Sequence, residues 1–382
     1  MRFLTAGESH GPALTAILEG CPAGLALSPS LIDAQLARRQ KGYGRGARQR
    51  IESDHVEILS GVRRGETLGS PIALLIRNRD HKAWSDTMAA EPREGAADRA
   101  LTLPRPGHAD LPGALKYDRR DARDILERAS ARETAARVAA GAVARALLAE
   151  CGVAVASCVL GIGPAFLERS VRWEECHDLD EDMPIPDEET RRRALAAIQE
   201  ASARGDTLGG RALVMARGVP PGLGSHVHWD RRLDARLAFH FMSIPSAKAV
   251  EVGDGVASSA RPGAVSHDAI AYDGERGFRR ATNRAGGLEG GITNGEDVRV
   301  TAYFKPLATL MKPLPSVDLA TKVPGLAQIE RSDVCAVPAA AVIGEAAMAL
   351  ALAEALTEKF GGDSMRELLR NAEAFRRQVR EY

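Results

Sequence analysis

The chain of 382 residues is 45% hydrophobic and sets 51 Lys and Arg against 51 Asp and Glu, so it can bury a core and carries no overall field for nucleic acid or an anionic membrane. Its longest apolar runs, such as AAMALALAEAL (346–356), fall short of the roughly 20 residues of a membrane span, and MRFLTAGESH lacks an apolar export region, so a cytoplasmic location is expected. The five cysteines (Cys21, Cys151, Cys158, Cys176 and Cys335) form no C-x-x-C pair, which argues for reduced thiols over a disulfide framework or zinc ribbon.

RFLTA (2–6) and ALTAILEG (13–20) read as strands joined by the turn GESHG, which sets His10 between glycines where it fills no core. LSPSLIDAQLARRQ (27–40) reads as a helix capped by Ser28 or Ser30. In ARRQKGYGRGARQR, Arg38, Arg39, Arg45, Arg48 and Arg50 are spaced by glycines, an arrangement that suits a multiply anionic ligand or a solvated loop. A single tyrosine interleaves, too few aromatics for an RNA-stacking surface. VEILSGV and SPIALLIRN read as strands and RPGHADLPG (105–113) as a loop, where Arg105 beside His108 would lower the pKa of that imidazole. Two histidines in glycine turns suggest an acid and base pair. Ser130 and Glu133 stand in the S-x-x-E relation of a capping box, so a helix runs from about Ser130 to Glu150, with Arg128 and Arg132 making its N-terminus an anion site.

Residues 163–206 turn polar and acidic before the amphipathic helix ETRRRALAAIQEASARG, either an exposed excursion or a soft domain boundary. GGRALVMARGV reads as a strand. His226 and His228 alternate on one strand face, but no third ligand stands at a recognisable spacing, so no metal site is expected. Residues 253–295 read as mobile glycine-rich loops ending in NRAGGLEGGITNG, and VRVTAYF (298–304) as an alternating strand. The glycine wall and the following Lys305, Thr309, Arg331 and Asp333 suit a flat or phosphorylated ligand. A helix over about 338–360, stopped by Gly361 and Gly362, closes the chain. Long helices and strands mixed without regular β-α-β alternation favour α+β layers, and no G-x-G-x-x-G opens a helix after a strand, so a Rossmann site is unsupported.

GESHG, RPGHAD, SARETAARVAAGA, GDTLGG, AVEVGDG, NRAGGLEGGITNGEDV, KPLATL and RSDVCAVPAAAVIGEAAMAL follow one another in the order and approximate spacing of the chorismate synthases, and from residue 2 to about 365 the chain resembles that family. The resemblance implies an α+β fold, a single-domain β-α-β sandwich of antiparallel sheets around a central helical layer. In it, 163–206 would be a polar surface excursion and 253–295 mobile active-site loops. It implies a homotetramer, with no nucleic-acid or membrane partner. The activity implied is a shikimate-pathway lyase that converts 5-enolpyruvylshikimate 3-phosphate to chorismate and phosphate by 1,4-anti elimination with reduced FMN (FMNH2), with NADPH a candidate reductant. The alternatives are a flavin oxidoreductase on the same scaffold and, from a different class, an arginine-rich RNA-binding protein resting on GYGRGARQR alone.

Carried over by residue, His10 resembles the acid that protonates the departing phosphate, with Ser9 and Ser130 in the catalytic group. His108 is similar to the histidine set near the reduced flavin, and Asp333 to the aspartate assisting proton removal at flavin N5. Arg39 and Arg45 match the family's NADP pair. Arg48, Arg105 and Arg132, with Arg331, are candidates for substrate anions. FMN contacts are implied for Arg128, Ala129, Ser130, Ser246, Gly290, Lys305, Pro306, Leu307, Ala308, Thr309 and Arg331. Many members have G-R-S-S-A-R where this chain has ERASAR, so Ala129 lacks a hydroxyl and Glu127 adds a charge; SIPSAK (243–248) also departs from the commoner form.

Overall fold

In the computed structural model, residues 1–46, 53–92, 99–274, 277–330 and 332–382 are described. Strands β1 (Arg2–Ala6), β2 (Ala13–Glu19), β3 (Val56–Ser60) and β4 (Ile72–Arg77) form an antiparallel sheet in the order β1-β2-β4-β3. Alternation decides its faces: Leu14, Ala16 and Leu18 of β2 pair with β4, whose Ile72, Leu74 and Ile76 join them in the core, whereas Ile17 faces out. A second antiparallel sheet runs β8-β9-β7-β5-β6, from β5 (Ala154–Ile162), β6 (Ala165–Phe166), β7 (Gly210–Arg217), β8 (Ala247–Val252) and β9 (Val298–Phe304).

Between the sheets lie α1 (Pro29–Gln40), α4 (Thr134–Glu150) and α7 (Val337–Phe360), with α6 (Leu233–Met242) against α7. α4 packs on β2 and β4, and α7 on β5 and β7, so one continuous core joins both sheets through the helical layer. This is the expected sandwich. The 24 residues of α7 are apolar on every side and long enough to cross a membrane, but 89% of the most apolar window is buried inside the protein. A helix apolar all round belongs in the centre of a core. Its contact with α4 is very close: a Cβ on Gly141 would stand 2.3 Å from Ala346 Cβ, so only glycine fits there. Gly361, at φ +60°, ends α7 as expected.

Several expectations need correcting. The loop at 105–113 gives way at Asp110 to α2 (Asp110–Tyr117), followed by α3 (Arg123–Ala129). Ser130 does not open the long helix directly: it ends α3 and caps a 3₁₀ turn, Ala131–Glu133, and α4 starts at Thr134. The capping box is also incomplete, since Glu133 pairs with Arg137 one turn on. Residues 163–206 are more than a surface excursion, because Met183 and Ile185, and Ala194 and Ile198 of α5 (Glu188–Ala203), enter the main core. Residues 253–295 contain two short helices and the hairpin Ile270–Asp273/Gly277–Arg280 rather than loops alone. A last helix, α8 (Met365–Glu381), follows α7, with Ser364 accepting from the Glu367 backbone.

Candidate active site

The β1–β2 turn, the end of α1, the segment before α4, the loop following β9 and the residues leading into α7 converge on a cavity of about 370 Å³. His10 lines it, and here the structure departs from the sequence: the histidine is 6% exposed and packed, not a solvated turn residue. Gly7, at φ +108°, permits the turn, because a Cβ there would lie 2.4 Å from the Ala13 carbonyl oxygen. The His10 backbone N–H donates to Glu127 Oε2 at 2.8 Å, and Nδ1 donates to Glu127 Oε1 at 2.9 Å. Its ring stacks on Trp84 with centroids 3.9 Å apart, and Nε2 lies 3.9 Å from Asp80 Oδ2. Burial alone would raise the Glu127 carboxyl, but hydrogen bonding to His10 and its charge outweigh that and hold it below the ordinary range. Ser9 Oγ donates to Ser130 Oγ at 3.1 Å, so the two predicted serines meet at the cavity.

Arg39 and Arg132 share one carboxylate. Arg39 Nη2 donates to Asp54 Oδ2 at 2.9 Å, and Arg132 Nη1 lies 2.7 and 2.8 Å from the two oxygens of Asp54, whose side chain is fully buried. Burial lowers Arg39 to about 10 against the pull of Asp54, with the charges of Arg132 and Arg45 adding. Arg45 pairs with Asp333 at 3.0 Å, and the Gly46 N–H donates to the same carboxylate at 2.6 Å. The Nε atoms of Arg39 and Arg45 are buried with no hydrogen-bond partner among the described residues. Arg39 and Arg45, the pair matched to NADP, thus line the same cavity as His10 rather than a second one.

Arg105 Nε donates to Asp110 Oδ2 at 2.8 Å and its Nη1 to Thr309 Oγ1 at 2.7 Å. His108 Nδ1 donates to Asp110 Oδ1 at 2.5 Å, with Arg105 Nη2 3.0 Å away, so the expected cation beside His108 comes with a carboxylate that faces both. Burial would raise Asp110, yet His108 and Arg105 hold it far below the ordinary carboxylate range. Lys305 is lowered by burial, then by Lys248, and has no carboxylate partner among the described residues. Ser246 lines the cavity at φ +72°, its carbonyl accepting from the Lys305 N–H at 3.0 Å. Ala129, Leu307, Ala308 and Thr309 line it as well.

Other expected contacts fall elsewhere. Arg128 turns outward and donates to the Gly7 and Thr5 carbonyls, bracing the β1–β2 turn from its far side. Gly290 sits in a small hairpin tied to residues 222–233 by Gly222 N–H to Thr293 O and Leu233 N–H to Gly291 O, and so does not line the cavity. Pro306 does not line it, although both its neighbours do. Arg38 is diverted to the buried Glu345. Arg48, Arg50 and Arg331 lie outside the described residues. Among the described residues no group of His, Cys, Asp and Glu could hold a metal; His228 instead pairs with Asp230 at 2.7 Å.

Asp54, Asp80 and Trp84 gave no sequence signal, because each meets its partner only through the fold; Asp110 stood unremarked inside the RPGHAD motif.

The family model for chorismate synthase matches residues 1–357. The chain is 57% identical over 382 residues to the chorismate synthase of Moorella thermoacetica, covering all of both chains, and 54% identical to that of Symbiobacterium thermophilum, covering 99% of each. A solved structure described as "Crystal Structure of Chorismate Synthase" superposes with a TM-score of 0.80 at 42% identity, covering 100% of this chain and 98% of that one. With this match along its whole length, and the two histidines and Asp333 around one cationic cavity, the chain belongs to the chorismate synthase family.

Proposed function

We propose that this cavity performs the family's elimination, with His10 as the acid that donates a proton to the departing phosphate. The family's lyases form chorismate and phosphate from 5-enolpyruvylshikimate 3-phosphate in the shikimate pathway and use reduced flavin. One observation carries the assignment of roles: His10 is fixed in a cavity whose described lining holds Arg39, Arg45, Arg105, Arg132 and Lys305 with Glu330 and Asp333, and behind it Asp54 serves two of these arginines and Asp110 a third, so positive charge remains in excess. The substrate has a phosphate and two carboxylates, and reduced FMN adds a further phosphate. Each would cost several kcal/mol to desolvate unpaired, which the excess cations and the two partnerless Nε atoms offset. The residues therefore fit the flavin and the substrate together.

When bound, the reduced flavin supplies transient electron density as phosphate leaves and a site for the C6 hydrogen. The chain's own groups do the rest. Arg39 and Arg132, two guanidiniums on one carboxylate, retain positive charge for an anion. Arg105, held by Asp110 and Thr309, presents another, and Lys305 serves the phosphate side with Thr309. His108, fixed through Nδ1 by Asp110, keeps Nε2 for the flavin, and Asp333, fixed by Arg45 and Gly46, assists proton removal. With Arg39 and Arg45 committed in this cavity, we take the flavin to arrive reduced from outside; turnover with NADPH alone would overturn that. A homotetramer, as the resemblance implies, is checked by light scattering.

The decisive experiment is anaerobic phosphate release with photoreduced FMN. His10→Ala should lower kcat by about 10²–10⁴ while FMN still binds, the usual worth of one general acid. Wild-type rates in that variant would remove His10 from the chemistry.

A further inference from the structure

We propose that Glu127 is the positioning residue of the catalytic histidine: it fixes the His10 ring with Nδ1 protonated and so reserves Nε2 for the substrate. The proposal rests on His10 being the acid. Glu127 stands in the last turn of α3 and is 3% exposed. Its carboxylate takes both the backbone N–H of His10 at 2.8 Å and the ring Nδ1 at 2.9 and 3.0 Å, and its own carbonyl takes the Ser9 N–H at 2.8 Å. One residue therefore holds the main chain and the side chain of the GESHG turn at once, which leaves the imidazole little freedom of rotation.

An ionised carboxylate only accepts hydrogen bonds, so the Nδ1 facing it must carry the proton; which imidazole nitrogen is left to act is set by the partner of the other. The surroundings keep Glu127 ionised. Arg123 Nη1 lies 3.4 Å from Oε1 and ties on through Nη2 to Glu330 at 2.6 Å. Among the described residues the other titratable or charged neighbours are Asp80, 3.9 Å from Nε2, His81, whose Nδ1 lies 2.9 Å from the His10 carbonyl oxygen, and Arg99 and Arg123, 4.1 and 5.1 Å from the centroid of the Trp84 ring that packs on the imidazole. Trp84 restricts tilt and Glu127 restricts rotation, so together they hold the ring in one orientation.

The alternative is that Glu127 merely ties the turn to α3. Long-range proton–nitrogen correlation spectra of protein labelled with ¹⁵N-histidine separate the two, His10 being assigned by its absence in His10→Ala. The expected result is a His10 Nδ1 of protonated type at every pH in the wild type, and conversion of the neutral ring to the Nε2–H form in Glu127→Ala. A pyridine-type Nδ1 in the wild type, or a spectrum indifferent to Glu127→Ala, overturns the proposal. In turnover, Glu127→Ala should lower kcat about ten-fold or more with little change in KM, and Glu127→Gln, whose amide oxygen still accepts, should recover part of it. In a His10→Ala background, Glu127→Ala should then cost no more than about two-fold, because the two residues act as one unit. Equal losses in both backgrounds would return Glu127 to a structural role. Should Glu127→Ala fail to fold, the spectrum and kcat of Glu127→Gln decide, an unchanged kcat and a changed tautomer counting against the proposal. A fully active His10→Ala would retire the acid role alone and leave the tautomer result to judge Glu127.

Discussion

Buried ionic groups tie the site to stability. Asp54 pairs with two guanidiniums with no exposure of its own side chain, and burial, which would raise its carboxyl, is outweighed by the charges of Arg39 and Arg132, so it titrates below the ordinary range. Removing one partner from such a cluster typically costs about 3–5 kcal/mol, so Asp54→Asn should show a large loss in a denaturant melt. A carboxyl lowered on folding stabilises the protein above its unfolded pKa, and that stability is lost as pH falls through the lowered folded pKa. Asp54, Asp110, Glu127 and Glu345 all shift this way, so the melting temperature should drop steeply below about pH 4, where unfolded carboxyls begin to bind protons. His240 acts at a different pH. Burial, then Arg137, pushes its imidazole down to about 4. Between about pH 6.5 and that value the unfolded chain takes up a proton the folded one refuses, so stability falls as pH is lowered across that window. His240→Asn should flatten the melting temperature there. At this scale the sequence disclosed the groups that stand in motifs, His10, His108, Ser130 and Asp333. It did not disclose Asp54, Trp84 or the grip of Glu127, because their partners lie from 15 to 117 positions away and nothing local marks the pairing.

The elements that were legible are those whose burial imposes a period. β1, β2, β9 and α7 fall within a residue or so of their expected limits, since alternation or an unbroken apolar run defines each. α2, α3 and α8 were not, because they are short or strongly polar and take their shape from what they touch. A signal for α8 existed in Ser364 and Glu367, an S-x-x-E pair like that at Ser130. The contact of α4 with α7 gives the test at this scale. Gly141→Ala would force its Cβ against Ala346, and overpacking of this kind costs about 1–3 kcal/mol, so a lower melting temperature is expected with the fold retained by circular dichroism. An unchanged melting temperature would mean that the two helices can separate freely.

Across the whole molecule, the cavity collects side chains from separate stretches spread between Ser9 and Ile343. Ligand binding should therefore report on the complete fold. At 100 times its dissociation constant a ligand adds about 2.7 kcal/mol, so the substrate should raise the melting temperature of wild type and of His10→Ala alike, because that variant keeps the anion-binding arginines. A rise in wild type alone would mean that His10 carries binding energy and not only proton transfer. The sandwich itself followed from family motifs and element order; the cross-connections that close the cavity did not, since they depend on tertiary pairing.

The placement of α7 bears on how the protein is made. It is the centrepiece against which α1, α4, α6, β5 and β7 all pack, yet it begins only at Val337. During synthesis every partner leaves the ribosome before the helix that unites them, and the second sheet waits with its inner face uncovered. A nascent chain halted at residue 336 would hold most of the catalytic groups but lack the helix that joins its two sheets in one core, so completion of the core is deferred to the last part of translation.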